Sequence, residues 1–355
     1  MKLKLDKVII QNLRKFKKKE VNFSSGINIL VGKNATGKTT ILEAISLLGV
    51  CKSFKTSNDS ELIKEKEDFF YVKGFFDADR TETIISFSEK GKKVNVNGVV
   101  LKRLSDYIGK VNVVSFSPND LNIIKGESRY KRAFLNQSIS MVNKEYLNDI
   151  IEYDKILKNR NEILKNFEKY NNDLNILKIY TERLINLSKK ITKEREKFIE
   201  EINEFITYNI KSITNNNENV KIKYQPIRLY DGIVDDIYKN IYKEIEAKTT
   251  CFGIHKETFQ ININDKDSQK YSSHGQQKSA VVALKLAVVD YLKSKEKESI
   301  IILDDVFGEL DIERQESLIK ELDNKGQVFI STTDITNISD NILLKGKIIE
   351  MDEGD

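Results

Sequence analysis

Hydrophobic and polar positions fall into three regimes along the chain. Up to about residue 120, short apolar runs and two-residue alternation dominate, the period of strands. Leu3, Leu5, Val8 and Ile10 predict an opening strand, then a basic turn (Arg14, Lys15, Phe16, Lys17, Lys18, Lys19) and a second strand around residues 21–23. Residues 27–30 (INIL) form a mainly apolar run of the kind seen in buried strands, and Ile41, Leu42, Ile45 and Leu48 mark one face of a helix after it. Segments 69–76, 83–87 and 93–96 read as strands, with Asn97-Gly98 as a hairpin turn. A further buried strand, 111–116, is stopped by Ser117-Pro118.

From Leu121 the period becomes helical. Residues 121–212 hold no proline and a single glycine, Gly126. Leu177, Leu184, Ile191, Phe198 and Phe205 recur at intervals of seven. A helix from about 174 to 212 spans roughly 60 Å at 1.5 Å per residue. An earlier helix near 144–167 is expected to pair with it antiparallel across the Asn-Asn-Asp-Leu-Asn turn. Irregular intervening positions, Glu194 and Glu201 among them, favour a bundle lobe over a true coiled coil. The polar stretch 214–219 closes the lobe as a loop. Alternation then returns: a helix at 231–247, a strand at 258–263, a long helix at 276–292, a buried strand at 299–303, a helix at 312–322 and a buried strand at 327–330. The expected organisation is one α/β sheet domain in two parts, 1–120 and 248–355, interrupted by a mostly helical insertion, 121–247.

Between the strand at 27–30 and its helix lies Gly32-Lys33-Asn34-Ala35-Thr36-Gly37-Lys38-Thr39, followed by Thr40. This fits G-x-x-x-x-G-K-[ST] in the strand–loop–helix setting that makes a phosphate cradle. The glycines let successive N–H groups face a phosphate chain, and the helix N-terminus adds partial positive charge. Lys38 is expected to reach the β- and γ-phosphates and the Thr39 hydroxyl to ligate Mg²⁺. The strand at 299–303 ends in Asp304-Asp305. Asp304 is the expected second Mg²⁺ ligand, and Asp305 stands where a carboxylate polarises an attacking water. About 265 residues separate Lys38 from Asp304, which again points to an inserted domain.

Composition adds little to this. The chain has 355 residues and 59 Lys+Arg against 54 Asp+Glu, a net charge of +5, so affinity for nucleic acid must reside in local patches. Cys51 and Cys251 form no C-x-x-C pair, which fits a reduced, cytoplasmic setting without disulfide or zinc. The amino-terminal stretch lacks the apolar core of a signal peptide, and no apolar run is long enough for a bilayer.

Ser273-His274-Gly275-Gln276-Gln277-Lys278 opens the helix ahead of the Asp-Asp strand, a second anion site where one P-loop needs only its own. Its S-x-G-Q-Q form is similar to the signature of ABC-type ATPases, and Glu309-Leu310-Asp311 stands where those proteins carry a D-loop. Over essentially its whole length the chain resembles the RecF family of bacterial recombination mediators. The stretches KSFKTSNDSELI, FSPNDLNIIKGESRYKRAFLNQSIS, YLNDIIEYDKILKNRNEILK, SHGQQKS and ILDDVFGELD carry the resemblance. It implies an ABC/SMC-like ATPase head with a helical arm, in which Ser273, Gly275 and Gln276 bind the γ-phosphate of ATP held by a second copy. It implies ATP-dependent homodimerisation, slow DNA-stimulated hydrolysis, binding to duplex or gapped DNA, and action with RecR, and indirectly RecO and RecA, in repair.

Gly253-Ile254-His255-Lys256-Glu257 keeps only the Gly and His of the family's G-P-H-R-D-D-L, and His274 replaces the usual Gln of the signature. SMC-like heads place an N-terminal Arg near the nucleotide, which makes Arg14 a candidate. Ser331-Thr332-Thr333-Asp334 occupies the position of the γ-phosphate sensor of ABC transporters, by analogy. Candidate DNA-phosphate contacts are Lys15, Lys17, Lys18 and Lys19 on the head, and Lys125, Arg129, Lys131 and Arg132 where the arm begins. The rival assignment is an ABC-type ATPase subunit of another assembly, a transporter included.

Overall fold

The computed structural model describes residues 3–77, 80–170, 173–214, 218–306, 312–322 and 325–352. The chain opens with β1 (Leu5–Leu13), β2 (Phe16–Asn22), β3 (Ile27–Val31), α1 (Lys38–Val50), β4 (Phe69–Phe76), β5 (Thr81–Ser88), β6 (Gly91–Val96), β7 (Val99–Val100) and β8 (Asn112–Phe116). Helices α2 (Asn122–Lys125), α3 (Ser128–Ser140), α4 (Lys144–Lys165) and α5 (Leu174–Ile213) follow, then β9 (Val220–Gln225), α6 (Ile233–Lys239) and α7 (Ile241–Ala247). The last part holds β10 (Thr258–Ile263), β11 (Lys266–Asp267), α8 (Ser268–Tyr271), α9 (His274–Ser294), β12 (Ser299–Leu303), α10 (Ile312–Leu322), β13 (Gly326–Thr332), α11 (Asp340–Lys345) and β14 (Gly346–Glu350).

Two compact units result. The first comprises Met1–Leu121, Phe205–Asn219 and Ser273–Asp355, and the second Asn122–Glu204 and Val220–Ser272. The sheet domain was expected to resume at residue 248, and the structure moves that boundary to Ser273. The reason is strand pairing. Strand β10 lies antiparallel to β9, with Ile261 opposite Ile222, which keeps 258–263 in the second unit.

In the first unit, a five-stranded parallel sheet has the order β14-β3-β13-β12-β8, and a six-stranded antiparallel sheet the order β2-β1-β4-β5-β6-β7. Strands β8 and β12 are buried at every position, as suits mainly apolar strands of a parallel sheet. Helix α1 packs on β8 and β13 of one sheet and on β1, β4 and β5 of the other. It therefore buries Ile41, Leu42, Ala44, Ile45, Leu47 and Leu48 completely, more than the single expected face. The expected basic turn is shorter than its charge run. Only Arg14 and Lys15 turn, because Phe16 is buried and pairs with Leu13 as the first residue of β2. Asn97 (φ 50°) and Gly98 (φ 84°) form the hairpin turn, both left-handed as a tight primed turn demands.

The second unit is helical with a small sheet, β11-β10-β9. Helices α4 and α5 run antiparallel within it: Asn143 bonds Glu194, Glu152 pairs with Arg183, and Ile163 and Leu164 cluster with Leu177. Leu177, Leu184, Ile191 and Phe198 are buried, as the heptad interval predicts, but Phe205 is only half-buried and Ile202, Ile206 and Ile210 take over. A straight helix of 3.6 residues per turn drifts about 20° per heptad, so a stripe at intervals of seven leaves the buried face. The helix expected at 231–247 is broken at Asn240, whose N–H bonds back to Ile237 and Tyr238.

Glu257 is the polar centre of this unit. Its side chain is fully buried and accepts from Arg195 Nη1 at 2.6 Å, Thr192 Oγ1 at 2.7 Å, the Ile227 N–H and the Tyr224 hydroxyl. Arg195, equally buried, also bonds Tyr146, Asn136 and the Ile254 carbonyl. Removing one member of such a pair leaves a charge inside without its counter-ion, at a cost of about 3–5 kcal/mol. Glu257→Gln should therefore lower the denaturant midpoint by an amount equivalent to about 3 kcal/mol. Adding Arg195→Met should recover part of that loss, and simple addition of the two losses would contradict the pairing.

Candidate functional site

The phosphate cradle lies at the carboxyl end of β3 and is held open by contacts with its surroundings. Ala35 (φ 66°) and Gly37 (φ 102°) are left-handed. A β-carbon at Gly37 would meet the Phe16 ring at 2.3 Å, and one at Gly32 the Met351 carbonyl at 2.4 Å. Both glycines are thus required by the chain itself as well as by a ligand. Lys33, Asn34 and Ala35 are exposed, while Thr36 is buried and donates to the Lys33 carbonyl at 2.9 Å. Thr40 is buried in the first turn of α1. The Lys38 ammonium donates to the carbonyls of Gly32 (2.5 Å) and Lys33 (2.7 Å), curled under the loop where a phosphate chain would draw it outward. Burial pushes its pKa down, with Asp305 and Asp304 acting in the opposite sense.

Strand order explains what faces the cradle. Strand β13 lies between β3 and β12, so the ends of all three meet at one edge of the sheet. Asp304, 2% exposed, follows β12, and its Oδ1 accepts from Thr39 Oγ1 at 3.0 Å and from Ser331 Oγ at 2.9 Å. Ser331 in turn accepts the Asp305 N–H at 2.9 Å. Burial pushes the Asp304 carboxyl above the usual range, and the Ser331 and Thr39 hydroxyls and Lys55 oppose that shift. Asp305 is exposed, with a left-handed φ of 54°. The donors Thr39 and Asp304 are hard oxygens with a single buried carboxylate. That set fits Mg²⁺, which keeps most of its ligands as water and phosphate oxygens. Among the described residues, no group of three or more His, Cys, Asp or Glu could hold a metal by itself.

Some functional side chains carry no signal in a linear reading. Arg14 pairs with Glu43, donating through Nε (3.1 Å) and Nη2 (2.9 Å). Ser53 donates to the same carboxylate at 2.6 Å and accepts the N–H groups of Lys55 and Thr56. The Arg14–Glu43–Ser53 link therefore anchors the loop that brings Lys55 near Asp304. The available signal was Glu43, a lone acid inside an apolar helix, which needs a cation. Lys15 bonds the carbonyls of Ala35 (3.4 Å) and Thr36 (2.9 Å) and so braces the cradle.

Ser273 caps α9: its Oγ accepts the Gln276 N–H at 3.2 Å, and Gln276 Oε1 accepts the Ser273 N–H at 3.0 Å, a reciprocal capping box. Ser273 and His274 are exposed, and Gly275 is half-buried. Asp311, with the rest of the expected D-loop, lies outside the described residues. Of the basic candidates, Lys17 and Lys18 are exposed on β2 and Lys19 is half-buried there. Arg129 is exposed, stacked on Tyr130 and paired with Glu127. Lys131 lies over the Phe259 ring, and Arg132 donates to the Glu257 carbonyl at 3.1 Å, so both are tied to the packing of their unit. Among the described residues, no helix is long and apolar enough to cross a membrane.

The model of the RecF/RecN/SMC N terminal domain family matches residues 4–346. The chain is 35% identical to the DNA replication and repair protein RecF of Macrococcus caseolyticus, with 99% of each chain covered. Against the RecF of Halalkalibacterium halodurans it is 34% identical, over 99% of this chain and 98% of the other. A solved structure of the recombination mediator protein RecF-ATP in the RecFOR pathway superposes with a TM-score of 0.86 at 31% identity, covering 95% and 94% of the two chains. The Smc head domain of Pyrococcus furiosus superposes with a TM-score of 0.56 at 15% identity, covering 99% and 94%, a likeness of fold alone.

The burial of Asp304 has a consequence for stability. Its folded pKa lies above the unfolded value, so its ionised form costs stability above the folded pKa, and the cost fades as pH falls through it. Asp304→Asn should raise the melting temperature of the nucleotide-free protein at neutral pH, by less as the solution is acidified. A variant that melts below the parent at neutral pH would show that the carboxylate is not strained.

Proposed function

The chain belongs to the RecF family, and on that premise we propose that it is an ATP-dependent, DNA-binding recombination mediator. Two heads close face to face on two ATP molecules, and the closed dimer persists on duplex or gapped DNA until slow hydrolysis releases it. In that state it works with RecR, and through it RecO, to promote RecA loading at single-strand gaps during repair and replication restart.

The observation that carries this reading is that one sheet unit holds both the P-loop start of α1 and the capped, exposed start of α9. The cradle is complete on its own side, with Lys38, Thr39, Asp304 and Asp305 together. The exposed start of α9, where Ser273 and Gln276 hold each other in a capping box, supports a second phosphate-binding role. A second site of that kind fits the γ-phosphate of a nucleotide on another copy, in a two-fold contact. ATP with Mg²⁺ would be held by residues 32–40 and by Asp304.

Hydrolysis should be slow. Asp305 is one methylene shorter than glutamate, so its carboxylate reaches less far toward a water at the γ-phosphate. For DNA, Lys17 and Lys18 on β2, with Lys19 beside them and Arg129 on the arm, carry the phosphate contacts, while Lys15, Lys131 and Arg132 serve mainly the fold. Among the described residues no aromatic array marks a single-strand stacking groove, which favours duplex backbone.

The test is solution mass by sedimentation, with ATP and Mg²⁺ and without nucleotide, in the presence and absence of a short duplex. ATP should dimerise the wild type and leave Ser273→Arg monomeric. Lys17→Glu combined with Lys18→Glu should keep the ATP dimer while losing the duplex. A wild type that stays monomeric while still binding ATP would remove the two-headed mechanism.

A further inference from the structure

The residues assigned to the γ-phosphate, Ser273, Gly275 and Gln276, carry no charge of their own beyond the helix end, worth about half an elementary charge, yet a γ-phosphate brings several negative charges. The structure places a cation beside them. A β-carbon at Gly275 would have no neighbour nearer than 3.8 Å, and that neighbour is Nη1 of Arg314, on the first turn of α10. This chain's packing therefore does not demand glycine at 275, although glycine weakens a helix relative to alanine. The guanidinium, and the Ser273 hydroxyl at 4.0 Å from that β-carbon, thus stand in van der Waals range of the same glycine.

Behind it lies Glu218, 9% exposed, with Oε2 lacking a hydrogen-bond partner. Its carboxyl is pushed up by burial, and the Arg314 charge and a hydrogen bond from the Gln276 side chain oppose that. Gln276 Oε1 accepts the Ser273 N–H. This carboxylate therefore lies within electrostatic reach of Arg314 and of Gln276, the residue that completes the cap with Ser273.

We propose that Arg314 is the cation of the signature phosphate site, and that Glu218 is the positioning residue that aims it together with Gln276. This rests on the reading that the signature meets ATP held by a second copy. Guanidinium matches phosphate with paired, charge-assisted hydrogen bonds, which a neutral helix end cannot supply. An ion pair serving only the fold would not distinguish nucleotide states.

The experiment measures the ATP concentration that gives half-maximal dimerisation, alongside ATP affinity of the monomer at dilution and the melting temperature. Arg314→Gln should raise that concentration about tenfold with monomer affinity unchanged. Arg314→Lys should recover part of the loss. Glu218→Gln should shift it in the same direction by a smaller factor, and Glu218→Asp less again. Should Arg314→Gln dimerise at the wild-type ATP concentration while Ser273→Arg does not, the role of Arg314 is wrong and the two-headed reading stands. Equal loss of monomer ATP affinity in Arg314→Gln would place the residue in its own chain's site and overturn the proposal. A wild type that never dimerises with ATP removes both.

Discussion

Everything in the sheet unit turns on the hydrogen bonds that Asp304 accepts from Thr39 and Ser331. They join three strand ends that are far apart in sequence, and they do so because β13 inserts between β3 and β12. The cluster buries a carboxylate whose charged form is disfavoured there. A divalent cation bound to Asp304 and Thr39 would relieve that strain, so the same residues that weaken the nucleotide-free unit favour the occupied one. Lys38 follows the same logic: its ammonium satisfies itself on loop carbonyls that a phosphate chain would replace.

Around this centre the chain commits cations to structure before any are left for partners. Arg14 and Lys15, adjacent in one turn, brace the anchored loop and the cradle respectively. In the second unit, Arg195 with Glu257 and Arg160 with Glu244 are buried pairs that tie helices to the small sheet or to α7. Arg160 also bonds Thr250 at 2.8 Å. Buried pairs of this kind contribute little net stability but penalise wrong arrangements strongly, which suits an arm whose register must be definite.

Local period and motif spacing made much of this legible in the sequence. The long helix was expected at 174–212 and is found at Leu174–Ile213, and the cradle and the acidic strand end were found from their fixed positions. What depends on distant partners was not legible. Strand β10 was expected in the sheet domain because nothing in its own residues names β9 as its neighbour. Glu257 read as part of a degraded family motif, yet its partner Arg195 lies 62 residues earlier on α5. Lys15 read as one more cation in a basic run, and only the tight turn after β1 shows why it faces the loop carbonyls.

The claim that matters most is that the cradle of one copy and the signature of another share a nucleotide. The most direct measurement is a cross-link between two populations in a Cys251→Ser background, one carrying only Asn34→Cys and the other only His274→Cys. Cys251 is exposed and Cys51 buried, so the introduced thiols would be the reactive ones. The account predicts a covalent dimer in the mixture with ATP and Mg²⁺, absent with ADP or no nucleotide. A cross-link that forms equally without ATP, or never forms while ATP is bound, would contradict it.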